Sequence, residues 1–233
     1  MNIAIVLAGG KGTRMGSTSE PKQFTEVNDK PIIIHTLESF ETHEDIQAIA
    51  VVCLKEWKDN IKELIEKYKL KKVMWIAEGG PTRQESVRNG LKAISSEVQG
   101  EDIVLIHDGA RPLVAHRIIT DNIAKAKEFG AVNTVIAATD TIVQSKDGNV
   151  ITEVPVRKEL FMAQTPQSFK FQVISQAHDF AVKNSVEDAT DDCQLVFRLS
   201  GQVYLVQGDK LNLKITTKED LAILEALIKM RSL

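Results

Sequence analysis

The first residues that could do chemistry form a glycine-rich segment directly after a short apolar run. Residues 3–7 (Ile-Ala-Ile-Val-Leu) lead into Ala-Gly-Gly-Lys-Gly-Thr-Arg-Met-Gly at 8–16, and Pro-Lys-Gln-Phe follows at 21–24. Glycines let a backbone turn tightly and bring its N–H groups close to phosphate oxygens. Arg14 and Lys22 add two cations at the same place. The pattern predicts a loop that holds a triphosphate.

Two better-known glycine loops do not fit this spacing. A dinucleotide fingerprint, G-x-G-x-x-G, would put Met15 where its third glycine belongs, and a Walker A loop would need lysine after Gly16, where Ser17 stands. A glycine-rich strand-to-helix turn in some other α/β protein remains an alternative, because a glycine loop alone is a weak signal. The other motifs of the chain must decide between these interpretations.

A second candidate segment, Gly-Gly-Pro-Thr-Arg-Gln-Glu-Ser-Val at 79–87, opens a predicted helix. Gly80 allows close backbone approach, and Arg83 and Ser86 lie one turn apart, so that both can face one ligand. The carbonyl and amino groups of a pyrimidine base would suit these partners. The alternative is a plain helix N-terminus capped by Thr82.

A third segment, Ile-His-Asp-Gly-Ala-Arg-Pro at 106–112, ends a predicted strand. Asp108 is placed like a Mg²⁺ ligand, because magnesium on a triphosphate is typically held by one or two protein carboxylates. Arg111 could contact a phosphate or Asp108 itself. A structural Asp-Arg pair that holds the loop is the alternative, and His107 is interpreted as structural because attack of phosphate on phosphate needs no imidazole.

Two further polar sites lie in the second half of the chain. Lys214 stands between Leu213 and Ile215, which predicts a mid-strand lysine whose burial is costly unless an anion pairs with it. Thr190 precedes Asp191 and Asp192, and this group could either bond sugar hydroxyls or only cap a helix.

Bulk composition narrows the class of protein. The 233 residues are enough for one well-buried α/β domain, and 43% hydrophobic with 26% charged residues is ordinary for a soluble protein. The net charge of −3 predicts no general attraction to nucleic acid or to an anionic membrane. Neither a signal peptide nor a membrane-spanning run is recognisable, so we expect a cytoplasmic protein. Cys53 and Cys193 are predicted to be buried thiols.

Apolar β-branched runs alternate with segments of helical period, which predicts a mainly parallel sheet with helices on both faces. Strands are predicted at 2–7, 48–54, 72–77, 102–107, 132–138 and 203–207. Helices are predicted at 31–40, 57–68, 83–95, 115–129, 170–183 and 218–230, the last with Thr217 as its N-cap. Ligands of such sheets collect at the carboxyl ends of the strands, where each motif above is placed.

Residues 139–164 interrupt this rhythm. Two β-like stretches flank an Asp-Gly pair at 147–148, which predicts a hairpin. A two-stranded hairpin is marginal alone in water. It is therefore expected to pack either against a second subunit or on the surface of its own domain.

The motifs taken together resemble one enzyme family in order and over nearly the whole chain. L-A-G-G-K-G-T-R-M-G, P-K-Q-F, G-G-x-T-R-x-x-S-V, H-D-G-A-R-P, D-T-I, A-Q-T-P-Q-S-F and N-L-K-I-T-T-x-E-D-L are similar to those of the cytidylyltransferases that make CDP-methylerythritol or CDP-ribitol. The resemblance implies a single Rossmann-like α/β domain over residues 1–233, and a homodimer joined by a protruding β-hairpin arm at about 139–164. It also implies CTP and a polyol phosphate as substrates, Mg²⁺ as cofactor and release of pyrophosphate.

The same resemblance assigns roles to individual residues. It assigns catalysis to Arg14, Lys22 and Lys214, and metal binding to Asp108. Nucleotide contacts fall to Leu7, Ala8, Gly9, Gly10, Gly12, Thr13, Gly80, Arg83, Ser86, Asp108, Gly109 and Ala110. Acceptor contacts fall to Arg111, Thr139, Arg157, Thr165, Thr190 and Lys214, with Arg157 expected to reach across the dimer.

The two branches of the family share most motifs and differ in the acceptor. A-G-G at 8–10, the four-residue gap before Pro21, residues 115–119 and residues 140–143 resemble the branch that uses ribitol 5-phosphate for cell-wall or capsule polymers. Residues 86–91, H-D-G-A-R-P and Thr190-Asp191-Asp192 resemble the methylerythritol branch of isoprenoid synthesis. Ala163 stands where the ribitol branch usually has glycine. The balance favours ribitol 5-phosphate.

Three other classes are alternatives. A CTP sensor that binds without reacting would have no use for the second phosphate site of Arg157 and Lys214. A hexose-1-phosphate nucleotidyltransferase shares the first loop but should lack H-D-x-A-R-P and A-Q-T-P-Q-S-F. An NAD-dependent reductase would need the third glycine and a ribose-binding acid.

Overall fold

A computed structural model of the chain describes residues 1–10, 21–187 and 189–231. The described strands are β1 (Asn2–Ala8), β2 (Glu26–Val27), β3 (Lys30–Pro31), β4 (Ala48–Cys53), β5 (Val73–Glu78), β6 (Ile103–Asp108), β7 (Ala131–Ala137), β8 (Phe161–Lys170) and β9 (Tyr204–Gln207). The described helices are α1 (Ile32–Glu41), α2 (Lys58–Tyr68), α3 (Arg83–Ile94), α4 (His116–Phe129), α5 (Phe171–Lys183), α6 (Asp192–Arg198) and α7 (Lys218–Arg231). Each of the six predicted strands and six predicted helices is confirmed, with ends that coincide or differ by one residue.

One mainly parallel sheet forms the centre of the molecule, in the order β5-β4-β1-β6-β8-β7-β9. Only β8 runs against its neighbours in this sheet, pairing antiparallel with both β6 and β7. From β1 the chain moves outward through β4 to β5 and then crosses back to β6 on the other side of β1. This reversal opens a crevice at the carboxyl ends of β1 and β6, the usual ligand site of doubly wound sheets.

Both faces of the sheet are covered, which explains why its central strands are continuously apolar. In β1, Ala4 and Val6 pack with α1, α2 and α4 on one face, whereas Ile3 and Ile5 pack with α3, α5 and α6 on the other. Helix α3 packs closely here, since a Cβ at Gly90 would lie 2.8 Å from Ile5 Cγ2. The expected α/β fold, with helices on both faces, is confirmed.

Strand β8 was not predicted, and its composition explains why. It carries Pro166 and four buried polar residues, Gln164, Thr165, Gln167 and Ser168, rather than an alternating apolar pattern. Pro166 lacks an N–H, and it lies where the pairing of β7 with β8 shifts register, between the pairs Asn133–Gln167 and Val135–Ala163. The polar side chains are satisfied by other elements, as when Ser168 Oγ donates to Asn122 Oδ1 at 2.9 Å.

The predicted arm forms a chain reversal with little regular pairing. Gln144 N donates to Glu153 O at 2.8 Å in an isolated antiparallel bridge. The Asp-Gly turn is present: Asp147 Oδ1 accepts from Asn149 N at 2.9 Å, and Gly148 adopts φ 77°. Apolar side chains along the arm face solvent in the isolated chain, Val150 being 62% exposed.

A third, smaller cluster joins helix α7 to the β2–β3 pair. Ile215 and Leu224 are fully buried there with Val27. Packing of Ile215 anchors the segment between β9 and α7, on which Lys214 lies. Among the described helices, none combines the length and the apolar character needed to span a membrane.

Candidate functional site

A cavity of about 730 Å³ lies at the carboxyl ends of β1, β4, β5 and β6. Its lining combines the end of β1 with the first turn of α3, the residues that follow β6, and Lys214 from the segment before α7. Of the predicted site residues it contains Leu7, Gly9, Gly10, Lys22, Gly80, Arg83, Ser86, Asp108, Ala110 and Lys214. Tertiary folding thus brings together motifs as far apart in the chain as Leu7 and Lys214.

Asp108 is the centre of the charged part of this cavity. Its Oδ2 lies 2.8 Å from Lys214 Nζ and 3.6 Å from Arg111 Nε, and its Oδ1 lies 3.8 Å from Arg83 Nε. Burial alone would raise the pKa of Asp108, but Lys214, Arg83 and Arg111 outweigh burial and hold that pKa well below its usual value. One carboxylate therefore gathers three cations that a polyanionic ligand could engage.

Buried hydrogen bonds hold the strand end that carries Asp108. Asp108 N donates to Thr165 Oγ1 at 3.1 Å, and Thr165 Oγ1 lies 3.1 Å from His107 Nδ1. His107 Nε2 lies 3.1 Å from Arg111 O, which can only accept, so Nε2 carries the hydrogen and Nδ1 accepts from Thr165. Burial lowers the pKa of His107 to about 4, consistent with a neutral ring. His107 and Thr165 thus fix the loop from beneath.

Lys22 and Lys214 meet at the same end of the cavity. Lys22 lies in a short 3-10 turn, Lys22–Phe24, and its Nζ donates to Ile215 O at 2.7 Å. The next residue, Gln23, is buried, and its Nε2 donates to Ala8 O and, at 3.3 Å, to Gly10 O. The P-K-Q motif is therefore bonded both to the glycine segment and to the Lys214 segment. Lys214 lies in a loop, so the prediction of a mid-strand lysine was wrong, although its pairing with a carboxylate is present.

The first turn of α3 presents backbone and hydroxyl groups to the opposite side of the cavity. Thr82 caps the helix in a capping box with Glu85, as the plain interpretation predicted. Ser86 Oγ accepts from Gly80 N at 3.0 Å and donates to Thr82 O at 2.9 Å. A side chain at position 80 would collide with Glu85 Cβ at 2.4 Å, so glycine is required for this tight entry.

Several predicted site residues lie away from the cavity. Arg157 and Thr139 are on the arm, where Arg157 Nη1 donates to Thr139 O at 3.1 Å. Thr190 is exposed, and its N–H donates to Gln194 Oε1 at 2.9 Å. Within one chain these three residues do not reach the Asp108 cluster, so their roles remain predictions.

Two predicted nucleotide contacts have structural partners instead of cavity positions, and two further nucleotide contacts and one predicted catalytic residue lie outside the described residues. Ala8 is buried in the core, and its carbonyl accepts from Gln23. Gly109 N donates to Leu7 O at 2.9 Å, and a Cβ there would lie 2.8 Å from the same oxygen. Gly12, Thr13 and Arg14 belong to residues 11–20, which are not among those described.

Some contacts and residues of the site were not predicted from the sequence. Asp192 contacts Arg83 Nη1 at 2.6 Å, and Arg111 Nη1 donates to Asn212 O at 2.7 Å. Lys55, Glu56 and Glu78 also line the cavity. The position of these three residues in the sequence could have indicated them, because they lie at or just beyond the carboxyl ends of β4 and β5. The sequence marked Asp192 only as part of the Thr190-Asp191-Asp192 group, and no local signal predicted its contact with Arg83 across 109 positions.

The described part of the cavity fits a divalent cation that arrives together with a ligand. Among residues 1–10, 21–187 and 189–231, no group of three His, Cys, Asp or Glu side chains could hold a metal ion. Asp108 offers one carboxylate, with an oxygen already bonded to Lys214. Magnesium bound to phosphates commonly takes one or two protein carboxylates and completes its shell with phosphate oxygens and water. Among the described residues, the donor set fits a Mg²⁺ that a triphosphate carries in.

Comparison with protein families gives a match over almost the whole chain. The family described as 2-C-methyl-D-erythritol 4-phosphate cytidylyltransferase, IspD, matches residues 2–230. A curated relative, the ribitol-5-phosphate cytidylyltransferase of Lactiplantibacillus plantarum, is 39% identical over 234 residues, which cover 100% of both chains.

Solved structures with the same fold agree with this match. The 4-diphosphocytidyl-2C-methyl-D-erythritol synthase of Anaerococcus prevotii has a TM-score of 0.83 at 28% identity, covering 98% of each chain. The 2-C-methyl-D-erythritol 4-phosphate cytidylyltransferase of Francisella tularensis has a TM-score of 0.81 at 29% identity, covering 97% of this chain and 98% of its own.

Proposed function

The chain belongs to the IspD family of cytidylyltransferases, and from this premise we propose that it transfers CMP from CTP to D-ribitol 5-phosphate. Membership makes the chain a nucleotidyltransferase that acts on CTP and a polyol phosphate. The proposal adds the acceptor, the metal, the roles of individual residues and the assembly.

The proposed reaction is an in-line displacement at phosphorus. A phosphate oxygen of the acceptor forms a bond to the α-phosphorus of CTP, the bond between that phosphorus and the α,β-bridging oxygen breaks, and pyrophosphate leaves with the bonding electrons. No protein nucleophile is needed, so the protein contributes positioning and electrostatic stabilisation. The observation that carries this mechanism is the convergence of Lys22, Lys214 and Arg83 on the cavity around Asp108.

The cavity suggests how the two substrates are arranged. Gly80 and Ser86 at the start of α3 suit the nucleoside, because backbone and hydroxyl groups can pair with the donors and acceptors of cytosine. Lys22 and the glycine segment at the end of β1 suit the triphosphate. Lys214, held 2.8 Å from Asp108, suits the phosphate of the acceptor. Arg14, outside the described residues, retains its predicted role at the triphosphate.

Mg²⁺ is proposed as the cofactor, with Asp108 as its protein ligand. When bound, the ion would neutralise charge on the triphosphate and on the leaving pyrophosphate. Lys22 and Lys214 would then hold the remaining negative charge of the two substrates in place.

Ribitol 5-phosphate is favoured over methylerythritol phosphate by one comparison above all. The relative named for ribitol 5-phosphate is 39% identical over the full length, whereas the two methylerythritol-named structures described above are 28% and 29% identical. The alternative acceptor is 2-C-methyl-D-erythritol 4-phosphate, which is the acceptor in the family's own description.

A two-acceptor assay tests the proposal directly. Purified protein with CTP and Mg²⁺ receives either ribitol 5-phosphate or methylerythritol phosphate, and pyrophosphate release and product mass are recorded. We expect CDP-ribitol, no turnover without acceptor, and loss of turnover when a chelator removes the metal. Preferential formation of CDP-methylerythritol would overturn the acceptor assignment, and turnover unaffected by the chelator would overturn the role of Mg²⁺.

We also propose that the arm at about 139–164 joins two copies of the chain. Its apolar side chains, Val150 and Ile151 among them, are exposed in the isolated chain, and exposed apolar stripes of this kind favour association. A dimer would also give Arg157 a route to the cavity of the partner subunit, since within its own chain it lies on the arm.

A further inference from the structure

We propose that Asp192, supported by His178, is a positioning residue that sets the Arg83 guanidinium for CTP binding. The proposal rests on the function proposed above, because it concerns how this chain presents a cation to the nucleotide. No chemical step is assigned to either residue.

The contact between Arg83 and Asp192 fixes one edge of the guanidinium in the protein interior. Arg83 Nη1 donates to Asp192 Oδ2 at 2.6 Å, a short, charge-assisted bond. The Asp192 side chain is 1% exposed, whereas that of Arg83 is 29% exposed and lines the cavity. The pair joins the first turn of α3 to the first turn of α6. Asp192 therefore binds the buried side of the Arg83 guanidinium, and the other side is exposed to the cavity.

His178 holds the second oxygen of the same carboxylate. His178 Nε2 lies 3.1 Å from Asp192 Oδ1, and because a carboxylate oxygen only accepts, Nε2 carries the hydrogen. His178 Nδ1 is buried without a hydrogen-bond partner among the described residues. The polar contact of this ring thus goes to Asp192. With both oxygens bonded, the carboxylate has one orientation.

Stability alone is a weak reason for such an arrangement. A buried ion pair seldom stabilises a fold more than apolar residues of similar volume would, because both charges lose their hydration. Burial alone would raise the pKa of Asp192, but Arg83 and His178 outweigh burial and lower that pKa, so the carboxylate keeps its charge. A charged group maintained at the cavity wall against this cost points to a role in orienting Arg83.

The neighbouring carboxylate shows what Arg83 would do without Asp192. Asp108 Oδ1 lies 3.8 Å from Arg83 Nε, and Asp108 already contacts Lys214 and Arg111. If Asp192 lost its charge, Arg83 would turn toward Asp108. The cation would leave its place on the nucleotide side of the cavity, so CTP binding should weaken.

Asp192→Asn is the primary test, with CTP and Mg²⁺ as the probe and no acceptor present. We expect calorimetry to give a Kd for CTP at least about tenfold above that of the wild type, the size typical of a lost charged hydrogen bond. His178→Phe, which keeps a ring of similar size, should weaken CTP binding by a smaller factor. Since His178 acts only through Asp192, the double variant should bind CTP no more weakly than Asp192→Asn alone.

Two matched controls distinguish orientation of Arg83 from general attachment of α3 to the α6 region. Gln84→Ala removes a bond from Gln84 Nε2 to Val186 O, 2.9 Å long, which also ties α3 to the segment before α6. Gln194→Ala removes an uncharged contact of the first turn of α6, in which Gln194 Oε1 accepts from Thr190 N at 2.9 Å. Both controls should lower the melting temperature and leave CTP affinity within about twofold of wild type.

The outcomes are distinct. Wild-type CTP affinity in Asp192→Asn, or equal losses in the controls, would overturn the positioning role. If Asp192→Asn does not fold, the test passes to His178→Phe, Arg83→Lys and the double variant of these two. A positioning role predicts that their effects on CTP affinity are not additive, and additive effects would overturn that role. A wild type that binds CTP but rejects ribitol 5-phosphate would overturn only the acceptor assignment, whereas failure to bind CTP would overturn both proposals.

Discussion

At the scale of single residues, the site is a balance of charges around Asp108. Lys214 lies 2.8 Å from that carboxylate, and Arg83 and Arg111 are within 3.8 Å. Lys22 also lines the cavity, and its Nζ donates to the carbonyl oxygen of Ile215 at 2.7 Å. This bond joins Lys22 to the segment that carries Lys214, so we expect Lys22 to contribute to turnover more than to stability.

Lys22→Ala is therefore expected to lower kcat by a factor on the order of 10²–10³, as loss of one preorganised donor typically does. The melting temperature should fall by about 3 °C, since the loss of the bond from Lys22 to Ile215 costs about 1 kcal/mol. Steady-state pyrophosphate release and thermal unfolding provide the two measurements. The control is Lys71→Ala on the exposed surface, which should leave both unchanged. Turnover near the wild-type rate would remove Lys22 from catalysis.

At the scale of elements, the site depends on how the ends of strands and helices are anchored. The Lys214 loop is held by burial of Ile215 against α7, and the Asp108 loop by the chain of bonds through Thr165 and His107. The arm is different, because it has one isolated bridge and an exposed apolar surface. Its conformation should therefore depend on a partner surface more than that of any other described element.

Ile151→Asp places a charge on the apolar surface of the arm. We expect the wild type to have about the mass of two chains by light scattering, and the variant to shift toward one chain, because a buried unpaired charge opposes association. Lys146→Asp adds the same side chain near the polar turn and should leave the mass unchanged. A wild type with the mass of one chain, or an Ile151→Asp variant that stays dimeric, would contradict the dimerisation role of the arm.

At the scale of the whole molecule, buried histidines link folding stability to pH. Burial lowers the pKa of His107 from 6.5 to about 4, and burial together with His116 lowers that of His43. Both groups bind a proton more tightly in the unfolded chain. Their contribution to the free energy of unfolding is therefore complete above about pH 6.5 and is lost as the pH falls from 6.5 toward the lower pKa of the folded state. The pKa values of Asp108 and Asp192 are also lowered, but these carboxylates change the stability only below about pH 4.

The free energy of unfolding should therefore fall between pH 6.5 and 4, and His107 should account for up to about 3 kcal/mol of the loss. His107→Asn removes that titration, so its urea-derived stability should depend less steeply on pH than that of the wild type. Ile119→Val, a core control, should lower stability at every pH and keep the wild-type slope. An unchanged slope in His107→Asn would mean that His107 does not titrate in this range.

The sequence by itself determined the fold class, the strands that are continuously apolar, and the motifs of the cavity, because these depend on periodicity and local turn chemistry. Those signals predicted β1, β4 and β6 and placed Asp108 and Ser86 at strand and helix ends. They missed β8, where buried polar residues depend on partners such as Asn122 rather than on a pattern.

Only the tertiary structure decided which charges meet. Lys22 bonds to the segment of Lys214 across 193 positions, and Arg83 pairs with Asp192 across 109. No local pattern encodes such pairs, because their energy arises only when separate elements pack and exclude water from the groups between them. Folding thus turned a row of separate motifs into one cationic cavity, with Asp108 at its centre and Asp192 behind its wall.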